Sequence, residues 1–180
     1  MTGETPADVI AFWREAGPER WFNKDAKFDD DIRRRFLALH EAAAAGKLTG
    51  WEASAEGALA LLILLDQFPR NMFRGQARIF ATDPLARAIA SRAILNGYDG
   101  AFPDLRNFFY LPFEHSEDLA DQERSLTLYK AAGDADGLKW AGLHADIIRR
   151  FGRFPHRNAV LGRVSTPEEQ KFLKNGGFAG

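Results

Sequence analysis

The feature that most constrains the fold of this chain is a recurring helical pattern. Residues that cap or open helices stand just before segments in which apolar side chains recur about every 3.6 residues. One example follows Asp25, where Phe28, Ile32, Phe36 and Leu39 share one helical face. No hairpin dipeptide is flanked by alternating apolar residues. The sequence therefore predicts an all-α fold of about eight helices and no strand.

The centre of the core is predicted at residues 58–65, ALALLILL, because this segment is apolar on every side. Thr49 and Glu52 have the spacing of a capping box, so we expect this third helix to begin there. Pro112 is expected to end an aromatic helix, and Ser116 is expected to cap the helix that follows.

The length of the chain and the absence of linkers predict one domain. Its 180 residues lie near the usual domain size. No Ser/Gly/Pro-rich or low-complexity tract divides them. We therefore expect residues 1–180 to form a single all-α domain.

The charge and the cysteine content exclude several classes of function. The 24 basic and 25 acidic residues give a net charge of -1, which offers no long-range attraction for nucleic acid or anionic lipid. Without cysteine there is no disulfide, Cys-ligated zinc, iron–sulfur cluster or thiol nucleophile. The N-terminus lacks a signal-peptide pattern, and no apolar run approaches the roughly 18 residues that a spanning helix requires. We therefore expect a cytoplasmic protein without nucleic-acid or membrane partners.

Two connections resemble each other and are rich in arginine. Asp66–Asn71 reads DQFPRN and Arg153–Asn158 reads RFPHRN, so both join Phe-Pro to Arg-Asn. Proline disfavours helix in the residue before it, so we expect each segment to be a rigid helix exit, or an internal duplication of a helix-stop signal. Residues 67–82 hold three arginines and residues 147–167 hold five, with no acid in either range. Because guanidinium groups suit fixed bidentate contacts, the candidate binding residues are Arg70, Asn71, Arg74, Arg153, His156, Arg157 and Asn158.

A third segment, Pro112–Glu123, has the opposite charge. It places five carboxylates and one histidine around a helix start. The candidate catalytic residues are His115, Glu117 and Asp118, since neighbouring carboxylates would orient the imidazole or raise its pKa. The alternative is structural: the acids cap the helix and pair with the arginine segments in a polar network inside the fold.

Four motifs in a fixed order resemble a known family. They are LLDQFPRNMFRG at 64–75, ATDPLA at 81–86, LPFxHSEDLADQE at 111–123 and RFGRFPHRNAVLGRxSTxEE at 150–169. In this order and spacing they resemble the uncharacterised bacterial family called domain of unknown function 924, over nearly the whole chain. The resemblance implies an all-α fold similar to the tetratricopeptide-repeat-like superhelices and no established activity. The residue before His115 is commonly apolar in that family, so Glu114 is set aside as a candidate ligand.

The motifs of several common enzymes are absent, since the chain has no GxxxxGK(S/T), GxGxxG, GxSxG or HExxH. The first hypothesis is a helical binding module whose arginine segments capture an anionic peptide, protein or small molecule, with no cofactor. The second is a metal-dependent or acid/base enzyme, similar to a hydrolase, centred on His115 and its carboxylates, to which His144 and His156 could contribute. The third is a structural protein whose charged segments stabilise only the fold.

Overall fold

The computed structural model describes residues 3–178, and all regular secondary structure in that range is helical. This confirms the predicted all-α fold. The α-helices are α1 Pro6–Ala16, α2 Pro18–Trp21, α3 Ala26–Ala44, α4 Ala55–Leu62, α5 Phe68–Met72, α6 Asp83–Leu95, α7 Asn107–Glu114, α8 Leu119–Ala132, α9 Ala135–Phe151 and α10 Pro167–Lys174. Short 3-10 helices cover Thr49–Ala53, Ala77–Phe80, Tyr98–Ala101 and Pro155–Arg157, and a π-helical turn covers Ile63–Gln67.

The predicted start of the third helix was wrong. Thr49–Ala53 is a 3-10 helix, and α4 begins after Ser54, whose hydroxyl accepts a hydrogen bond from the amide of Gly57 at 3.0 Å. Gly57 also lies against the backbone of Trp51, where a Cβ would clash with the Trp51 carbonyl. This close approach separates the 3-10 turn from the helix, so the local capping-box spacing does not set the boundary.

The first Phe-Pro segment does not leave its helix, contrary to expectation. The amide of Phe68 donates to the carbonyl of Ile63, so a π-helical turn joins α4 to α5, and Pro69 lies in the first turn of the new helix. Proline has no amide hydrogen for the carbonyls of Leu64 and Leu65. Side chains supply the missing donors instead. His40 Nδ1 lies 2.9 Å from the Leu64 oxygen, and Thr82 Oγ1 donates to the Leu65 oxygen at 2.6 Å.

Two predicted helix ends also differ from the structure. Pro112 lies inside α7 and does not end it. The N-cap of α8 is Asp118, whose carboxylate accepts from the amide of Ala120 at 2.8 Å, while Ser116 Oγ accepts from the amide of Asp118 at 3.1 Å. Ser116 therefore supports the residue that caps the helix.

The chain divides into two compact units at Pro112 and Phe113. In the first unit, α4 packs against α1 and α6, and α3 packs against α5. Every side chain of residues 58–65 is buried there, which confirms the predicted centre of the core. The single domain expected over residues 1–180 stays a prediction.

The second unit is built on a hairpin of α8 and α9, joined at Gly133 and Asp134 and packed along its length. Ile147, Ile148 and Phe154 form its apolar cluster, with the Phe172 ring of α10 packed against it. No described helix of the chain is long and apolar enough to cross a membrane.

Candidate functional site

Arg70 of the first arginine segment is held by two buried acids of its own unit. Its guanidinium makes a bidentate contact to Asp83 at 3.1 and 3.0 Å and lies 3.3 Å from Asp66. Burial alone would lower the pKa of Arg70, but the two carboxylates raise it above its ordinary value. The side chain therefore balances charge within the fold.

Asn71 and Arg74 share a third acid, Asp29. Asn71 Nδ2 donates to Asp29 Oδ1 at 2.8 Å, and Arg74 Nε donates to Asp29 Oδ2 at 2.6 Å. The side chains of all three candidate binding residues in this part of the chain thus contact acids of the first unit; they are Arg70, Asn71 and Arg74. A ligand carboxylate there would have to displace an existing one.

The second arginine segment has a similar arrangement around Glu169. Arg153 makes a bidentate contact to this carboxylate at 2.6 and 2.8 Å, and Asn158 Nδ2 donates to it at 3.2 Å. The amide of Thr166 donates to it at 2.8 Å, which completes a capping box of α10. The Arg153 contact and the other donors lower the pKa of Glu169 to about 2.

The acidic helix start pairs with the same part of the chain. Glu117 accepts two hydrogen bonds from Arg163, at 2.7 and 2.9 Å, and one from the amide of Phe154 at 2.8 Å. Burial alone would raise the pKa of Glu117, but these donors hold it below its ordinary value. Arg157 donates to the backbone carbonyl of His115 at 2.9 Å. Within the second unit, Arg153 and Glu117, which were expected to face a ligand, therefore pair with the opposite charges of Glu169 and Arg163.

Two histidines and one acid that is distant in sequence form a different cluster in the second unit. His144 Nδ1 lies 3.0 Å from Glu114 Oε1 and 2.9 Å from the Trp140 carbonyl oxygen. The buried Nδ1 of His156 has no hydrogen-bond partner among the described residues. Burial, with the nearby Arg157 cation, lowers the pKa of His156 to about 4, so this imidazole is neutral at pH 7.

Glu114, which was set aside as a candidate ligand, is buried with 3% of its surface exposed, and its carboxylate lies against His144. One signal was available in the sequence. Glu114 is the single acid at the end of the otherwise apolar run FFYLPFE, and a buried acid is expected to have a partner. The partner itself, on α9, could not be identified from spacing.

A groove of about 380 Å³ lies beside this cluster. Leu143, Ile147 and Phe151, spaced four residues apart on α9, form one wall, and Phe172 and Phe178 contribute aromatic rings. Their spacing places all three on one face of α9. In the structure this face is incompletely covered, since Leu143 remains 44% exposed.

Two charged side chains also line the groove, Arg150 and Asp146. Arg150 donates from Nε and Nη2 to one oxygen of Glu168, at 3.0 and 2.9 Å, and its guanidinium stacks 4.6 Å from the Phe151 ring centre. Asp146 is paired with Arg149 at 2.8 Å. Within residues 3–178, no group of three or more His, Cys, Asp or Glu side chains has the arrangement of a metal site.

Comparisons with known proteins agree with the fold but bring no activity. A solved structure of ATU0120, a protein of unknown function from Agrobacterium tumefaciens, superposes with a TM-score of 0.92 at 53% sequence identity, over 95% of this chain and 97% of that one. No curated protein matches the chain. The family model of bacterial proteins of unknown function, DUF924, matches residues 9–177. The chain therefore belongs to this family of bacterial proteins of unknown function.

Proposed function

We propose that the protein is a helical binding module and that the groove along α9 binds a small organic carboxylate with an aromatic or branched apolar body. The observation that carries the proposal is the guanidinium of Arg150 on the lining of an apolar, aromatic groove. A volume of about 380 Å³ falls in the range of small-molecule sites. It suits a small molecule better than a folded peptide segment.

The choice of Arg150 over the predicted arginines follows from exposure. Arg70 and Arg153 are bound to carboxylates of buried acids, and removing a buried partner is strongly unfavourable. The Arg150–Glu168 pair is different, because its side chains are 51% and 61% exposed. Such surface pairs contribute about 0–1 kcal/mol, so a ligand carboxylate can replace Glu168 or share the guanidinium with it. Asp146 does not cancel this charge, since it is paired with Arg149.

The aromatic lining sets the chemistry of the rest of the ligand. Phe151 and Phe172 line the groove with aromatic rings, and aromatic pairs favour offset or edge-to-face contact. An arylalkanoate combines a ring for this surface with a carboxylate for Arg150. We take 3-phenylpropionate as the representative ligand and its amide, 3-phenylpropanamide, as the uncharged analogue.

Replacing Arg150 with methionine is expected to weaken the binding of 3-phenylpropionate about tenfold, because the charged contact is lost while the apolar stem remains. Binding of 3-phenylpropanamide is expected to stay within about twofold, since the amide has no charge to lose. Isothermal titration calorimetry measures both constants.

The matched control is Arg34→Met, which changes the same residue type in an exposed pair with Asp31, and neither residue of that pair lines the groove. Its affinity for the carboxylate should stay within about twofold of the unmodified protein. If the Arg150→Met variant and the unmodified protein bind 3-phenylpropionate with equal affinity, the proposal loses its basis.

A second candidate function is acid/base catalysis, and one observation favours His144 over His115 as its centre. The Glu114 carboxylate lies 3.0 Å from His144 Nδ1. A carboxylate in this position orients the imidazole in acid/base catalysis. We expect any hydrolysis of aryl esters, phosphoesters or amides by the protein to fall at least about 100-fold in a His144→Gln variant. A turnover screen of the two proteins measures this, and unchanged turnover in the variant would exclude His144.

A further inference from the structure

Phe178 lines the groove and also packs against two histidines. Its ring centre lies 4.6 Å from that of His144 and 5.3 Å from that of His156, in edge-to-face geometry with both. The same residue lines the groove together with Phe151 and Phe172. One phenyl ring therefore contacts both imidazoles and lines the groove.

The backbone that carries Phe178 is shaped for this position. Beyond the end of α10, Gly176 adopts a φ of +77°, a conformation that L side chains rarely adopt. At Gly177, a Cβ would lie 2.6 Å from both the Phe172 ring and the Phe172 carbonyl oxygen. The two glycines thus allow the chain to turn tightly over Phe172 and bring the next side chain back to the groove.

We infer that Phe178 is an internal occupant of the ligand groove, and that an aromatic ligand binds by displacing its ring from the two histidines. This inference rests on the proposed binding function of the groove. The site already accepts a phenyl ring between His144 and His156, so the ring of an arylalkanoate has the chemistry of the group it replaces. Phe178 follows α10 and is not part of a helix, so it can leave without unfolding one.

Displacement predicts that the apparent affinity depends on Phe178. If the groove can bind a ligand only when the Phe178 ring has moved away, the apparent affinity is the intrinsic affinity multiplied by the fraction of molecules in that state. Removing the ring removes the competition. A residue that only forms a wall of the groove behaves in the opposite way, since its removal takes contacts from the ligand.

The experiment compares two phenylalanine-to-alanine variants by calorimetric titration with 3-phenylpropionate. Phe178→Ala is expected to bind about tenfold more tightly than the unmodified protein, whereas Phe151→Ala, which shortens a wall, is expected to bind more weakly. Phe178→Leu keeps an apolar side chain and serves as the second variant if the alanine protein is not folded by circular dichroism. It should bind more tightly than the unmodified protein, but less than tenfold.

The possible outcomes separate the two proposals. Tighter binding by the Phe178 variants supports displacement. If the unmodified protein binds and its Phe178 variants bind equally or more weakly, Phe178 is a wall and the inference is overturned, while the proposed function stands. If neither the unmodified protein nor any Phe178 variant binds 3-phenylpropionate, the proposed function itself fails.

Discussion

Replacing Arg70 with methionine is expected to lower the free energy of unfolding by about 3–5 kcal/mol. Asp66 and Asp83 are both buried, and the Arg70 guanidinium lies within 3.3 Å of each carboxylate. Methionine fills much of the same space but removes the guanidinium that contacts both buried carboxylates. Breaking a buried pair in this way removes the attraction and retains the full cost of burying the charges.

Urea unfolding followed by tryptophan fluorescence measures this effect, because Trp13, Trp21 and Trp51 lie in the same unit. Arg34→Met is the matched control, since Arg34 makes an exposed pair with Asp31 and should change stability by less than about 1 kcal/mol. Adding Asp66→Asn and Asp83→Asn to the Arg70 variant should recover part of the loss, because the uncompensated charges are then gone. Equal effects of the Arg70 and Arg34 substitutions would contradict the structural role of Arg70.

Lowering the pH from 7 to 5 is expected to reduce the free energy of unfolding by about 2 kcal/mol through His156 alone. The pKa of this imidazole is about 4 in the fold, against its ordinary value of 6.5 in the unfolded chain. Between these values the unfolded chain binds a proton that the folded chain does not, so stability falls as the pH falls. Glu169, whose pKa is lowered from 4.5 to about 2, also contributes stability that is lost as the pH falls. This loss takes place mainly below pH 4.5, outside the range from 7 to 5.

The charges around His156 explain why it resists protonation. Burial has the largest effect, and Arg157, His144 and Arg163 lower its pKa further, while Glu117 opposes them. His144 in turn lies against Glu114. The immediate surroundings thus contain more cationic than anionic groups that act on this imidazole.

Urea unfolding at several pH values, with a His156→Gln variant, measures the contribution. Between pH 7 and 5, the free energy of unfolding of the variant should fall by about 2 kcal/mol less than that of the unmodified protein, since glutamine does not titrate. Nuclear magnetic resonance of the imidazole nitrogens checks the cause directly, with the His156→Gln spectrum assigning the signal. A His156 signal that titrates above pH 6 would show that the imidazole is not protected by the fold.

The helices and their buried faces were predictable because the apolar pattern that specifies them lies within each helical segment. The all-round apolar run at 58–65 could only be buried, and the structure buries it. Helix boundaries were less accurate where a tertiary contact decides them. Gly57 against Trp51 moves the start of α4, and the side-chain donors His40 and Thr82 allow the helix to continue past Pro69.

The partners of the charged residues were not predictable, because they are distant in sequence. Arg74 and Asp29 are 45 positions apart, and Glu117 and Arg163 are 46 apart. Residues 67–82 and 147–167 hold no acid, which suggested exposed charge, but acids outside these ranges, such as Asp29 and Glu117, pair with their arginines. Arg150 was noted only as one of several arginines, since neither its exposure nor the groove beside it is visible before the helices are packed.

The π-helical turn at Ile63–Gln67 has a consequence for how the first unit holds together. An uninterrupted helix satisfies its own carbonyls and offers its neighbours only side chains. At this turn two backbone carbonyls instead accept hydrogen bonds from His40 on α3 and from Thr82, which precedes α6. The irregular turn therefore joins three segments of the first unit through backbone groups, and a substitution at His40 or Thr82 removes the donor from a carbonyl of a turn to which neither residue belongs.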